Sequence, residues 1–431
     1  MSSTSEDQGA LHDHEWIYSR GKRLTLVPHR PLAPYGSHVY PLPGTETDMD
    51  KQAEELMLSE DEKAMSVTQL VFAPGNEPQK GKTLQNDKNA EMEVQIAEMV
   101  CGSPGLGYRS GPQNLKCYVT KAPTTSPIKG YQLPTKGQLL FLKVFDPLFW
   151  YKVLDYSESE IKVTRLADSS FSDEFGAYHF LHEKGLAHFD TTAFRRTGYS
   201  SIVPDFFGGW TANVTSLNEK FSKKSRSVAV LTLEYIEGVS MKGLFTPLGP
   251  IRGTVDLYQD QPSTRRSFET DQDQRMDILS QLLDGIVSQE KLGLDNARLD
   301  PTNVILTMKC LNKPIQKPRA VLVGYRRSII DHLRTEPVEM WKDFPKKVHP
   351  FTRFSWEVLE DEGFVGWVPA EWRPDNDEGI SHDLDLWMLN KFGSITNRRN
   401  TEYTTWPRKT RQAEEAGTGS EETGTGSGEQ P

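Results

Sequence analysis

The sequence predicts an α+β fold with two lobes: a small, β-rich N-terminal lobe carrying one helix, then a larger, mainly helical C-terminal lobe. Three observations predict it. Short apolar or alternating runs, separated by Gly and Pro, fill residues 91–238. Apolar residues then recur at helical spacing from Met276 to Val287, and the remainder to Gly393 is Trp-rich and reads as mostly helical.

Taken in order, residues 1–90 hold several Pro, scattered charges and few long apolar runs, which predicts a largely disordered extension. Within it, residues 51–65 (KQAEELMLSEDEKAM) lack Gly and Pro and suit a short helix. Residues 93–100 (EVQIAEMV), 115–120 (LKCYVT) and 138–146 (QLLFLKVFD) read as three antiparallel strands. A helix follows at 173–183 (DEFGAYHFLHE), and 227–235 (SVAVLTLEY) has the length of a buried strand. The helix around Met276, Leu279, Leu282, Leu283, Ile286 and Val287 opens on an acidic turn, 271–277, that suits its positive end. Residues 303–308 (NVILTM) and 319–323 (RAVLV) are short strands joined by a loop at 309–318. From about Arg408 the chain is Gly, Thr, Ser and Glu with almost nothing apolar, and 394–431 reads as a flexible, disordered acidic tail.

Composition narrows the function. Fifty Lys and Arg against 60 Asp and Glu leave a net charge of −10, which argues against a general affinity for nucleic acid. Three widely spaced cysteines (Cys101, Cys117, Cys310) form no CxxC pair, so neither a disulfide framework nor a zinc ribbon is expected. No run approaches ~18 apolar residues and the start is polar and acidic, which reads as an intracellular chain, cytoplasmic or nuclear, that does not enter membranes. The histidines show no HExxH or comparable ligand spacing. Lys346, Lys347, His349 and Arg353 read as a solvated basic face, 222–227 (SKKSRS) as a polar loop, and Trp341, Trp356, Trp367 and Trp372 as packing residues.

Lys143 stands inside an apolar strand, where its ammonium must reach an edge or meet a carboxylate. A Lys on the third strand, a Glu about 30 residues on in a helix, a strand ending Leu233-Glu234-Tyr235 and then a long helix form an order that resembles a protein kinase. More specifically, LKVFDP (142–147), Glu174 with Ala177, Tyr178 and Leu181, LEYI-x-G (233–238), Pro337, Glu339 and Trp341, and GWVPAEW (366–372) resemble a fungal protein kinase-like family. The resemblance covers about residues 91–393, with an N-lobe at 91–238 and a C-lobe at 239–393. It implies ATP as cofactor, with Lys143 on the phosphates and Glu174 orienting Lys143. It also implies the backbone of Glu234, Tyr235 and Ile236 at the adenine, and Asn303 at the magnesium position. Residues 102–107 (GSPGLG) would be the glycine-rich lid, although they do not match GxGxxG.

The same resemblance locates two losses. Five residues before Asn303, Arg298 stands in place of the catalytic Asp, and Asn296 in place of the family's His; Gly324 stands in place of the metal-binding Asp. A guanidinium accepts no proton and a glycine offers magnesium no carboxylate. These losses predict a pseudokinase that binds protein partners and ATP without relying on magnesium, with Arg298, Arg326 and Arg327 lending positive charge. The alternatives are an atypical phosphotransferase using Asp295, Asp300 or Asp331 as a relocated acid, and a structural protein with a closed pocket.

Overall fold

The computed structural model describes residues 17–36, 39–41, 57–75, 77–81, 87–101, 111–126, 131–150, 153–154, 160–184, 201–216, 224–246, 248–250, 254–256, 267–269, 271–296, 299–310, 313–336, 341–374, 379–395, 400 and 402–404. Residues 405–431 of the tail expected at 394–431, the glycine-rich 102–107 and Arg298 lie outside them, whereas Tyr403, inside that expected tail, is buried, and 403–404 pair with 347–348.

Six strands close into an antiparallel barrel: β1 (Arg23–Pro28), β2 (Met92–Cys101), β3 (Gln113–Lys121), β4 (Leu139–Phe145), β5 (Phe206–Thr215) and β6 (Ser225–Glu234). The circuit runs β1, β2, β3, β4, β6, β5 and returns to β1, where Leu26 pairs with Ala212. Alternation fills the interior: Gln113, Leu115, Cys117 and Val119 of β3 are buried, and the residues between them are less so. Burial also pushes the Cys117 thiol up to about 12, which leaves it inert. Strand β6 is buried on both faces from Val228 onward, which explains its unbroken apolar run.

Helix α1 (Val163–Glu183) covers one side of the barrel. Its apolar contacts recur three or four residues apart, and Phe171 meets Phe145 of β4 at a ring distance of 5.4 Å. Helix α2 (Gln272–Leu292) is the second pillar, with Leu279, Leu282 and Leu283 fully buried. Asp271 caps its start by accepting from the Gln274 N–H at 2.8 Å, and Gly293 (φ 97°) ends it in the left-handed conformation. Three short strands, β7 (Val239–Ser240), β9 (Val304–Cys310) and β10 (Lys313–Leu322), form a small sheet, while β8 (Leu294–Asn296) pairs with β11 (Ser328–Ile330). Gly238 permits the first of these: a Cβ there would lie 2.1 Å from the Leu306 carbonyl oxygen.

This architecture overturns the expected two-lobed fold with a larger helical half. The molecule is built on a closed β-barrel, and of seven α-helices among the described residues only α1, α2 and α3 (His382–Phe392) exceed six residues. The reason lies in the aromatic segment after residue 341. Trp367 is fully buried from a turn, and its indole N–H donates to the Arg275 carbonyl at 2.9 Å while the Arg275 guanidinium donates to the Trp367 carbonyl at 3.2 Å. Large aromatics therefore mark the core here without marking helix.

Two smaller expectations also change. Arg23–Pro28, inside the stretch expected to be an extension, is the strand that closes the barrel. The basic cluster is tied down: Lys347 pairs with Asp284 at 2.5 Å, Arg353 with Glu290 at 2.8 Å, and buried His349 bonds the Gly393 carbonyl at 2.8 Å. Among the described residues no helix is long and apolar enough to cross a membrane.

Candidate functional site

Strand periodicity turns Leu140, Leu142 and Val144 of β4 into the barrel and Lys143 and Phe145 toward α1. On α1, Phe171, Glu174, Tyr178 and Leu181 share the face that meets them. The result is a buried ion pair: the Lys143 ammonium donates to Glu174 Oε1 at 2.5 Å, with 11% and 1% of the two side chains exposed. One turn further along α1, the Tyr178 hydroxyl accepts from the Gly324 N–H at 3.3 Å.

Gly324 takes φ +86°, and a Cβ built on it would lie 3.3 Å from Asn303 Oδ1. Asn303 is held there by backbone: its carbonyl accepts from Val323 N–H at 2.7 Å, and its own N–H donates to the Asp300 carbonyl at 2.8 Å. A side chain at 324 would thus project at Asn303, beside the element that carries Glu174. A carboxylate and the Asn303 amide oxygen would be hard oxygen donors at one spot, but glycine supplies no such side chain there, and among the described residues no group of three or more His, Cys, Asp or Glu could hold a metal ion. Arg326 lies with its guanidinium 5.0 Å over the Trp150 ring, and its charge is felt by Glu174 and Asp173.

The Glu234 side chain turns away from any ligand role. It is buried, accepts from Asp205 N–H at 3.2 Å and pairs at 3.4 Å with Arg319, whose guanidinium also donates to the Ser201 and Val203 carbonyls. The Glu234 main-chain N–H is also taken, donating to the Asp205 carbonyl at 2.8 Å, and Tyr235 is half-buried beneath the Lys116 ammonium, 4.7 Å from the ring centre. Asn296 is buried in a satisfied network, donating to Gln289 Oε1 at 2.6 Å and accepting from the Ser328 hydroxyl at 2.7 Å.

Each candidate relocated acid has a partner. Asp295 and Asp331 both pair with Arg334, at 3.1 and 3.2 Å, and Asp331 also with Lys342 at 3.3 Å. Asp300 caps the following turn, accepting from the Thr302 N–H and hydroxyl at 2.9 and 2.8 Å.

Three groups had no clear signal in the sequence. Arg226, read as part of a polar loop, is buried on β6 and grips Asp146 with both arms, Nε to Oδ1 at 2.9 Å and Nη2 to Oδ2 at 2.5 Å. Tyr18 donates to the same carboxylate at 2.8 Å. Burial pushes the Asp146 carboxyl upward, but the Arg226 guanidinium outweighs it and holds the group below the usual range. The other two are Asp168 and Asp173 on α1. Burial pushes Asp168 up to about 6 against the Tyr35 hydroxyl, the Gln79 N–H and Arg165, and pushes Asp173 up to about 7 against the Tyr35 N–H and Arg326.

Both values lie above the ordinary 3.8, so the folded chain holds these protons more tightly than the unfolded one. The stabilisation is complete below the ordinary value and is lost as pH rises through about 6 and about 7. Replacing Asp173 with Asn is expected to shrink the fall in Tm between pH 5.5 and 8 by about 3 °C, read by calorimetry beside the wild type.

No family model and no curated protein matches the chain. Among solved structures it has a distant likeness to one described as the crystal structure of BubR1 kinase domain, at 13% sequence identity and a TM-score of 0.29. That match covers 58% of this chain and about half, 51%, of the other. A likeness so remote leaves fold and activity to be argued from this chain's own residues.

Proposed function

We propose that this chain is a catalytically impaired kinase-like protein, a pseudokinase that binds ATP without a metal and acts through protein partners. The observation that carries this reading is the Lys143–Glu174 pair at 2.5 Å. Burying an ammonium and a carboxylate together costs more than an apolar contact of the same size, so retention of the pair fits a use for the charge. A lysine held by a helix-borne carboxylate suits the α- and β-phosphates, and past Glu234, whose N–H is taken by the Asp205 carbonyl, the backbone of Tyr235 and Ile236 would be the part to meet a flat base. The mute position at Gly324 and the engaged Asp295, Asp300 and Asp331 support impaired transfer: a positioned base contributes roughly 10²- to 10⁴-fold, and none of these acids is uncommitted.

Thermal-shift titration tests the reading. ATP at ~100 times its Kd raises stability by about 2.7 kcal/mol if the site is open. The expected result is equal stabilisation with and without magnesium in the wild type, absent in Lys143→Met. A Gly324→Asp variant, which would set a carboxylate beside Asn303, is expected to make the shift magnesium-dependent. Brisk ATP turnover that stops in Lys143→Met would overturn the reading in favour of the phosphotransferase. No shift at millimolar ATP would leave a structural role.

A further inference from the structure

Residues 29–36 leave β1 and cross the outside of α1. The strap begins where the His29 N–H donates to the Gly209 carbonyl at 2.9 Å. It passes so close to the helix that a Cβ on Gly176 would lie 2.5 Å from Pro34 Cγ. Helical spacing puts Asp168, Ser169, Asp173 and Gly176 on this face, opposite the face of Phe171, Glu174, Tyr178 and Leu181. Helix α1 is thus held between barrel and strap.

Tyr35 makes the grip. Its hydroxyl donates to Asp168 Oδ2 at 2.5 Å and its main-chain N–H bonds the Asp173 carboxyl, one residue from Glu174. A second piece of the N-terminal region, Gln79, donates its N–H to Asp168 Oδ1 at 3.0 Å. Farther along, the Tyr40 hydroxyl accepts from the Ile330 N–H at 2.8 Å, and the Val39 carbonyl accepts from the Thr335 N–H at 2.9 Å. These contacts reach the segment that follows Gly324. An open pocket of about 450 Å³, walled by Leu32, Pro34, Phe175, Phe180, Ile330 and Leu333, lies between the strap, α1 and the 330–333 segment. The hold therefore combines the close approach of Pro34 to Gly176 with the polar contacts of Tyr35, Val39 and Tyr40.

We propose that the strap is a latch that positions Glu174: through Tyr35 it fixes the register of α1 against β4, and release of the strap uncouples Glu174 from Lys143. Carboxyls buried on an otherwise packable face are costly unless something is gained from their bonds, and both of these bond Tyr35. Asp173 and Glu174 leave opposite faces of α1 but are adjacent along it, so a shift of the helix at the grip carries Glu174 with it.

Tyr35→Phe in the full chain tests the latch, since it deletes one hydroxyl and keeps the ring. Expected are faster amide exchange across 163–183 with 272–292 unchanged, and about tenfold faster acylation of Lys143 by an amine-reactive ester. Affinity for magnesium-free ATP should fall by a similar factor; this last arm rests on the nucleotide reading above, while the first two do not. Unchanged exchange in 163–183 with unchanged Lys143 acylation would overturn the latch, as would faster exchange spread equally over 272–292, which would mark general destabilisation. Should the wild type bind no ATP, the nucleotide reading fails and the exchange and acylation results still decide the latch.

Discussion

Replacing Asp146 with Ala is expected to cost about 3–5 kcal/mol, because it strands the Arg226 guanidinium in the barrel wall. Arg226 and Asp146 expose 3% and 0% of their side chains, so solvent cannot replace the lost partner. The same change also removes the acceptor of Tyr18 and of the Leu148 N–H, the bond that starts the 147–149 turn. Chemical denaturation should show the loss as a lower midpoint with an unchanged slope. A loss below ~1 kcal/mol would mean that water or a neighbouring acid reaches Arg226, and the clamp would not be structural. The Asp of LKVFDP is thus explained as a strand-end clamp: it binds the turn after β4, the start of β6 and the N-terminal Tyr18 at one point.

The second large effect concerns the ion pair of the candidate site. Lys143→Met alone and Glu174→Leu alone should each cost about 3–5 kcal/mol, since each leaves a buried charge without its counter-ion. The double variant should regain most of that loss, or exceed the wild type, because two apolar side chains of similar size fill the gap without desolvating charge. It should nonetheless show no stabilisation by ATP. That outcome would separate the pair's binding role from its structural one. A double variant as unstable as the sum of the singles would show instead that the pair is needed for packing.

The elements that place this pair were legible because their patterns are local. Strand β4 is apolar except for Lys143, β6 is nearly so from Val228 to Leu233, and α2 carries an apolar stripe, so the elements can be read from residue type although the burial of Lys143, Gln281 and Glu290 cannot. Helix α1 was visible only from Asp173, because its first half, TRLADSS, contains polar residues whose burial depends on Tyr35 and Gln79 arriving from elsewhere in the chain. Strand β1 was invisible for a similar reason. RLTLVP is short, and its partners Val94 and Ala212 lie far along the chain. The overestimate of helix in the second half came from Trp367 and its neighbours, whose size demands burial but no particular backbone. Of the residues singled out by position, Lys143 meets Glu174 and Gly324 lies beside Asn303, but the commitments of Asp295 and Asp331 to Arg334 could not be seen without coordinates.

Closure of the barrel carries a cost in time. Arg23–Pro28 emerges first during synthesis, yet one of its neighbours, Phe206–Thr215, is made some 180 residues later. Until then both flanks of an incomplete sheet offer unpaired N–H and C=O groups to any other extended chain. A contact so distant along the polymer also slows collapse to the finished state. Because Ser225–Glu234 must still enter between β4 and β5, nascent or truncated forms that stop short of Glu234 should be the aggregation-prone species of this protein.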